Sequence, residues 1–474
     1  MSHPQPVPRP PENVEPEDDG LLDADEAAEE IVDDDGDHPM DDEDDEDLEA
    51  EEQEIQLQND SAAHFDSHTD SIFCIAQHPT NPSIVITGGG DDVAYLFDAS
   101  IPPTAQDAGQ PQGERKSIQP LQKLDGHTDS VNAVAFTYPR GEYVLTAGLD
   151  GKLRAWKSSE ASGSKKWTFV AEAAEVEEIN WVAPCPNKDH ENVVALGAND
   201  GSVWVYQINA EDKVSPVTIV QAFYLHTVSC TAGAWTPDGS LLATVSEDGS
   251  LYVCDVFSAG QAVISFTTAD QRFEVEGGLY SVACTASMVA VGGAGGNIKV
   301  VGLPQPADQT KKNSGAKGAG RHQQASSAGQ ILASLQAQSD GVETLSFSSP
   351  PLNILAAGSV DGSIALFDTA HRFAVRRHIK EAHEEYAVVK VEFVRNPQKG
   401  GWILTSAGMD GVVRRWDVRG GTTAAGQGFI QEWKGHRGEG EGGGVLGFVQ
   451  GGDGNRIVTA GDDGVALVFR ADIA

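Results

Sequence analysis

The sequence predicts an all-β chain of repeated blades closed into a ring, and three observations predict it. One short phrase recurs eight times, the recurrences keep a spacing near fifty residues, and most copies carry hairpin chemistry between runs of strand pattern. The phrase is a small-residue stretch, an Asp-Gly or near variant, a strand of four or five residues and an aromatic or apolar stop. Its clearest copy is Thr146-Ala147-Gly148-Leu149-Asp150-Gly151-Lys152-Leu153-Arg154-Ala155-Trp156, and another runs from Ser406 through Asp410-Gly411 to Trp416-Asp417. Aligned on the turn residue, the copies fall at Asp91, Asp150, Asp200, Asp248, Gly295, Asp361, Asp410 and Asp463.

Each element of the repeat has a local reason. Six copies carry Asp-Gly, which supplies the two positive φ angles of a tight type I′ hairpin. Upstream stand Gly126-His127, His226, His383, Gly435-His436 and His68, while repeats three and five lack the His. After the His come apolar residues on alternate positions, as in Val134 and Phe136, the period of strands rather than helices. The chain ends a few residues after the third strand of the last repeat, Val465 to Phe469, so one strand is missing there. Residues within Ile55 to Phe65 are placed to supply it, closing the ring with N-terminal chain and removing exposed edges.

Two stretches break the rhythm. Ala99 to Pro120 carries Pro102, Pro103, Gly109 and Pro111. Leu303 to Gly329 holds Lys311, Lys312, Lys317 and Arg321 among Gly, Ser, Ala and Gln. Both read as mobile loops between blades, and the basic cluster as solvated linker rather than a phosphate contact or localisation signal.

Charge is the second large fact. The net charge is −40, from 72 acidic residues against 32 Lys and Arg; residues 1–60 hold 26 acids and Arg9, hence −25, which leaves −15 for the rest. The run from Asp41 to Asp47 has no hydrophobic face, so residues 1–54 are expected to be a disordered tail and residues 55–474 the ring. The position of Gly36 in its Asp run does not fit a calcium loop. Duplex nucleic acid needs Lys and Arg to displace counterions, and here the sign is wrong over tail and ring. Membrane surfaces are anionic too, and no apolar run is long enough to span one. The partner such a chain attracts is a basic protein.

Chemistry is sparse. The sequence has no Gly-x-Ser-x-Gly elbow, no His-Glu-x-x-His and no phosphate loop, and the runs Gly88–Gly90 and Gly292–Gly296 occupy the repeat's strand-turn slot. The histidines show no metal-ligand spacing. We expect neither enzymatic activity nor a metal or other cofactor. Cys74, Cys185, Cys230, Cys254 and Cys284 lie in or beside strand patterns without CxxC pairing and read as reduced core residues. With no basic-then-apolar leader, the cytoplasm or the nucleus fits.

Gly-His, then Asp-Gly, then Trp-Asp at this spacing resembles the WD-repeat β-propellers, over roughly residues 55 to 474. The resemblance implies four antiparallel strands per blade and a buried relay of His127, Thr146, Asp150 and Trp156, repeated as His383, Ser406, Asp410 and Trp416. Phe97 and Phe469 stand where it expects Trp, and Gly295 where it expects Asp. Eight copies imply eight blades, although seven is commoner in the family and copy five is weak. It also implies a peptide site on the ring face, at the residue after the first apolar position of each inner strand. Aligned on the strand ending at Phe136, these are Phe73, Asn132, Glu177, Thr231, Tyr280, Glu343, Val389 and Gly443, with Glu247 and Asp462 near the same rim. Glu177 and Glu343 would pair with Lys or Arg of a client while Phe73 and Tyr280 hold aliphatic stems or stack on guanidinium.

An acidic tail before an acidic ring of divergent repeats is similar to the angio-associated migratory cell protein family, whose fungal members look like a ribosome-assembly factor. That resemblance implies a monomeric, dedicated chaperone that captures the basic N-terminal segment of a large-subunit ribosomal protein and hands it to the nascent subunit. A scaffold for signalling or ubiquitin transfer, and a histone chaperone, remain open alternatives.

Overall fold

The structure, a computed structural model, describes residues 58–101, 116–159, 166–258, 260–275, 277–304, 327–395, 401–420, 425–437 and 443–471. The acidic tail and the Lys311–Arg321 cluster lie outside the described residues. Strands dominate, with short 3-10 turns and no α-helix among the described residues. Eight antiparallel sheets form eight blades, so the weak fifth copy is a blade like the others. Blade two shows the plan: inner strand Val131–Phe136, then Tyr143–Gly148, Leu153–Ser159 and the outer strand Lys166–Ala173. Each inner strand contacts those of the two neighbouring blades, and the eighth, Val445–Val449, returns to the first, Ile72–Gln77.

Closure uses N-terminal chain. Ala63–Phe65 pairs antiparallel with the last strand, Ala466–Arg470, aligning Ala63 with Val468 and Phe65 with Ala466. Phe65 is fully buried and stacks on Phe97, 4.4 Å between centroids. Part of the expected mobile loop is ordered. Lys116–Ser117 adds a fifth strand, parallel to Ala63–Phe65, and Pro120 already belongs to blade one's outer strand, Pro120–Leu124. Ile118 drives this, because its side chain is buried in the seam between the last blade and the first.

The second strands explain why alternation is only part of the pattern. Ile84–Gly89, Tyr143–Gly148, Leu241–Ser246 and Ile403–Gly408 are buried at every position, since both sheet faces pack on neighbouring blades. Outer strands alternate, as in Gln261–Phe266. The cysteines are free, as buried or half-buried thiols, and burial pushes Cys185 up to about 11 and Cys254 to about 12.

The hairpins differ from the expected type I′ turn. Gly151, Gly201, Gly249, Gly362, Gly411 and Gly464 have φ between 72° and 84°, but the Asp before each does not have positive φ. The Gly151 N–H donates to Gly148 O, which makes a one-turn step followed by a left-handed glycine. The Asp side chain selects this form by accepting the N–H two residues on, as from Lys152 to Asp150 and from Ser363 to Asp361.

Candidate functional site

Strand direction alternates within each blade, so the loops entering the inner strands and the Asp-Gly hairpins share one end of the ring. Polar relays tie these two sets of loops together. His127 Nδ1 lies 2.9 Å from Asp150 Oδ1 and its Nε2 2.7 Å from Thr146 Oγ1. His383 bridges Asp410 and Ser406 at 2.9 and 2.8 Å, and Trp416 Nε1 donates to Ser406 Oγ at 2.9 Å, completing a four-residue chain. Trp156 instead packs edge-on against Phe169, at 5.8 Å. His68 and His436 make the same three-residue link with Asp91 and Thr87, and with Asp463 and Thr459.

Blade four reaches its Asp indirectly, through Ser250, which bonds His226 Nδ1 at 2.6 Å and also Asp248. Burial outweighs the attraction of Asp248 and lowers His226 to about 4. Burial likewise holds His127 and His383 below the usual range. For Asp150 burial acts in the raising direction, but the hydrogen bonds from His127, Thr128 and Lys152 outweigh it and keep the carboxyl low. Blade six also lacks the His: Gln338 takes its place and donates to Ser363 Oγ and Ala357 O.

Every inner strand carries a β-bulge at its second residue. Partners skip Phe73, Asn132, Asn180, Thr231, Tyr280, Glu343, Val389 and Leu446, each the extra residue between two paired ones. A bulge re-aims the side chain it contains, which puts these eight at the rim of the channel. Two sequence assignments therefore shift by three residues: Asn180 takes the place expected for Glu177, and Leu446 that of Gly443. Glu177 is exposed in the loop before blade three, and Gly443 lies in the loop before blade eight. Their misplacement has a cause in the chain, since neither loop keeps the spacing of repeat two.

The eight positions divide by role. Asn132 Nδ2 donates to Ile179 O, Asn180 Nδ2 to Cys230 O and Thr231 Oγ1 to Leu279 O, so these three are occupied in tying each blade to the next. Phe73, Tyr280, Glu343, Val389 and Leu446 face the open end. Phe73 is 40 % exposed. A Cβ on Gly341 would lie 3.3 Å from Glu343 Oε1 and 4.0 Å from Tyr280 Cδ2, so the two side chains flank one glycine. Partial burial first, and then Asp340, pushes the Glu343 carboxyl above its ordinary value. Glu247 is exposed at the hairpin beside blade five. Asp462 is half-buried and accepts Ser71 Oγ at 2.6 Å, joining blade eight to blade one.

The opposite mouth of the channel is different. A cavity of about 380 Å³ there is walled by Ala76, Phe136, Val182 and Val449, and its Lys390 and Arg395 both pair with Glu392. Among the described residues no group of three His, Cys, Asp or Glu could hold a metal ion.

The family model for the WD domain, G-beta repeat, matches residues 59–98, 118–157, 217–255 and 329–368. The chain is 52% identical to Chaetomium thermophilum Sqt1, whose crystal structure superposes with a TM-score of 0.76 over 87% of this chain and 98% of that one. The chain belongs to the Sqt1 family of WD-repeat propellers. Sqt1 from that fungus has also been crystallised bound to the N-terminus of ribosomal protein L10, again at 52% identity and a TM-score of 0.76, covering 87% of this chain and all of that one. Across the family the chain is 29% identical to the ribosome assembly protein Sqt1 of Saccharomyces cerevisiae, over 92% of this chain and 93% of the relative. Human angio-associated migratory cell protein is 25% identical over 87% of this chain and 80% of its own.

Proposed function

We propose that this protein is a non-catalytic chaperone that captures the basic N-terminal segment of a newly made large-subunit ribosomal protein on the bulged rim of its ring and delivers it to the assembling ribosome. The observation that carries this is the Tyr280–Glu343–Asp340 corner, in a chain half identical to Sqt1 crystallised with the N-terminus of L10. Two neighbouring carboxylates repel each other, and a lysine or arginine placed between them relieves that repulsion. Tyr280 adds a face for the stem or the guanidinium. Phe73, Val389 and Leu446, on blades one, seven and eight, give the adjoining sector an apolar floor. An anionic rim of this kind offers a basic segment what ribosomal RNA will later offer it, and so keeps it from binding RNA early. A chaperone of this kind would meet its newly made client in the cytoplasm and, if it escorts that client to the site of assembly, enter the nucleus.

The test is the affinity of the full chain for the synthetic N-terminal peptide of L10 at about 50 and 200 mM salt, by calorimetry. Tight binding that weakens with salt and falls at least about 100-fold in Glu343→Lys is expected. Binding indifferent to salt and to Glu343→Lys would overturn the proposal.

A further inference from the structure

Two blades of this ring hold an arginine of their own at the outer end of the hairpin strand. Arg154 lies 4.6 Å over the Phe169 ring and 5.7 Å over Trp156, with Glu172 as its carboxylate partner. Arg414 sits at the same register of blade seven, bonded to Asp410 and Glu432. Arg154 pairs with Thr146, Arg414 with Ser406, and in blade three the residue at this register, paired with Leu196, is Trp204.

Blade three thus sets an aromatic ring, Trp204, where blades two and seven set a guanidinium. Tyr224 is 70 % exposed and meets Trp204 edge-on at 5.8 Å, and Trp204 stacks with Tyr206 at 6.3 Å. Tyr206 OH donates to Glu175 Oε2 at 2.7 Å, which fixes a carboxylate beside the aromatic group. Glu177 and Glu178 follow on the same exposed loop. Among the described residues no Lys or Arg lies over Trp204 or Tyr224, whereas in blade two Arg154 lies over Phe169 and Trp156.

We infer that Trp204, Tyr224 and Glu175 form a subsite for an arginine side chain of the bound client, at the outer rim where the client leaves the central face. This rests on the proposed chaperone role and extends it: recognition continues outward over blade three and prefers arginine to lysine there. Three features of the chain argue for this occupant. The subsite adjoins the loop that enters an inner strand, on the same end of the ring as Glu343. Its charge is complementary to a basic segment. In blade two the chain itself sets an arginine over aromatic rings beside a carboxylate, and a planar guanidinium stacks on aromatic faces while it pairs with a carboxylate.

The experiment compares the full chain with Tyr224→Ala and Trp204→Leu, using the L10 N-terminal peptide and the same peptide with every arginine replaced by lysine. Tyr224 is mostly solvent-exposed, so Tyr224→Ala keeps the fold even if Trp204→Leu disturbs the seam. Tyr224→Ala is expected to weaken the arginine peptide about 3- to 5-fold and to leave the lysine peptide within about 1.5-fold. If the native chain binds the arginine peptide and Tyr224→Ala binds it equally, the subsite is overturned while the chaperone role stands. Equal losses for both peptides overturn the preference for arginine and with it the subsite. If the native chain binds neither peptide, both proposals fall.

Discussion

Blades seven and three solve one problem in opposite ways. Blade seven satisfies its polar groups internally: His383, Asp410, Ser406 and Trp416 form one chain of hydrogen bonds, and Arg414 adds a second partner for the Asp410 carboxylate. Blade three has no relay histidine. Its Asp200 is satisfied locally by Ser202, which also accepts from Trp204 Nε1, and Tyr224 and the loop carboxylates Glu175, Glu177 and Glu178 are exposed. A buried polar network rigidifies only when every member has a partner, so blade seven supports the ring, while blade three, free of that duty, keeps chemistry available for a ligand.

The comparison breaks most directly at His383. Replacing it by Ala leaves Asp410 and Ser406 short of a partner inside the ring and opens a void, with an expected loss of about 3 kcal/mol or more. Hydrogen exchange should show Ile403–Gly408 and Val413–Asp417 opening before the other blades. Uniform exchange across all blades would mean that the relay does not set local stability.

Legibility from sequence follows the same division. Where the repeat chemistry is intact, the pattern located strands well, because Asp-Gly and the relay histidine anchor both ends of a strand pair. Register was lost in blade three, which has no relay histidine, and in blade eight, where a longer loop separates His436 from its inner strand than separates His127 from Val131: Glu177 and Gly443 each fell three residues short of the bulge that Asn180 and Leu446 occupy. The bulge itself carries no compositional mark, since Phe, Asn, Thr, Tyr, Glu, Val and Leu all stand there. Lys116–Ser117 was hidden for another reason, as a two-residue strand owes its existence to Ile118 entering a seam between blades remote in sequence. The closing strand was legible because a missing partner in the last repeat demands one, and the chain ahead of His68 was free to supply it.

A second break uses pH. In blade four Ser250 stands between His226 and Asp248, so burial holds the imidazole neutral and lowers it to about 4. Between about pH 6.5 and 4 the unfolded chain binds a proton at His226 that the folded ring refuses, so stability falls as pH falls through this window. By pH 5 this one group costs about 2 kcal/mol relative to pH 7.5. Chemical denaturation of the native chain and of His226→Gln at the two pH values isolates it. A pH dependence unchanged by the substitution would refute the assignment.

The smallest effect sharpens the comparison most. Tyr206 stands where blade seven has Trp416, and its hydroxyl bonds a carboxylate that water can reach. In Tyr206→Phe the freed Glu175 is rehydrated, so the expected loss of stability is about 1 kcal/mol or less, well under that of His383→Ala. The same substitution lets Glu175 swing away from Trp204, so affinity for an arginine-bearing client should fall about 2- to 3-fold although no residue proposed to touch the client has changed. If instead Tyr206→Phe destabilised the ring as strongly as His383→Ala, the Tyr206–Glu175 pair would be a relay in its own right, and blade three would have no chemistry to spare for a client.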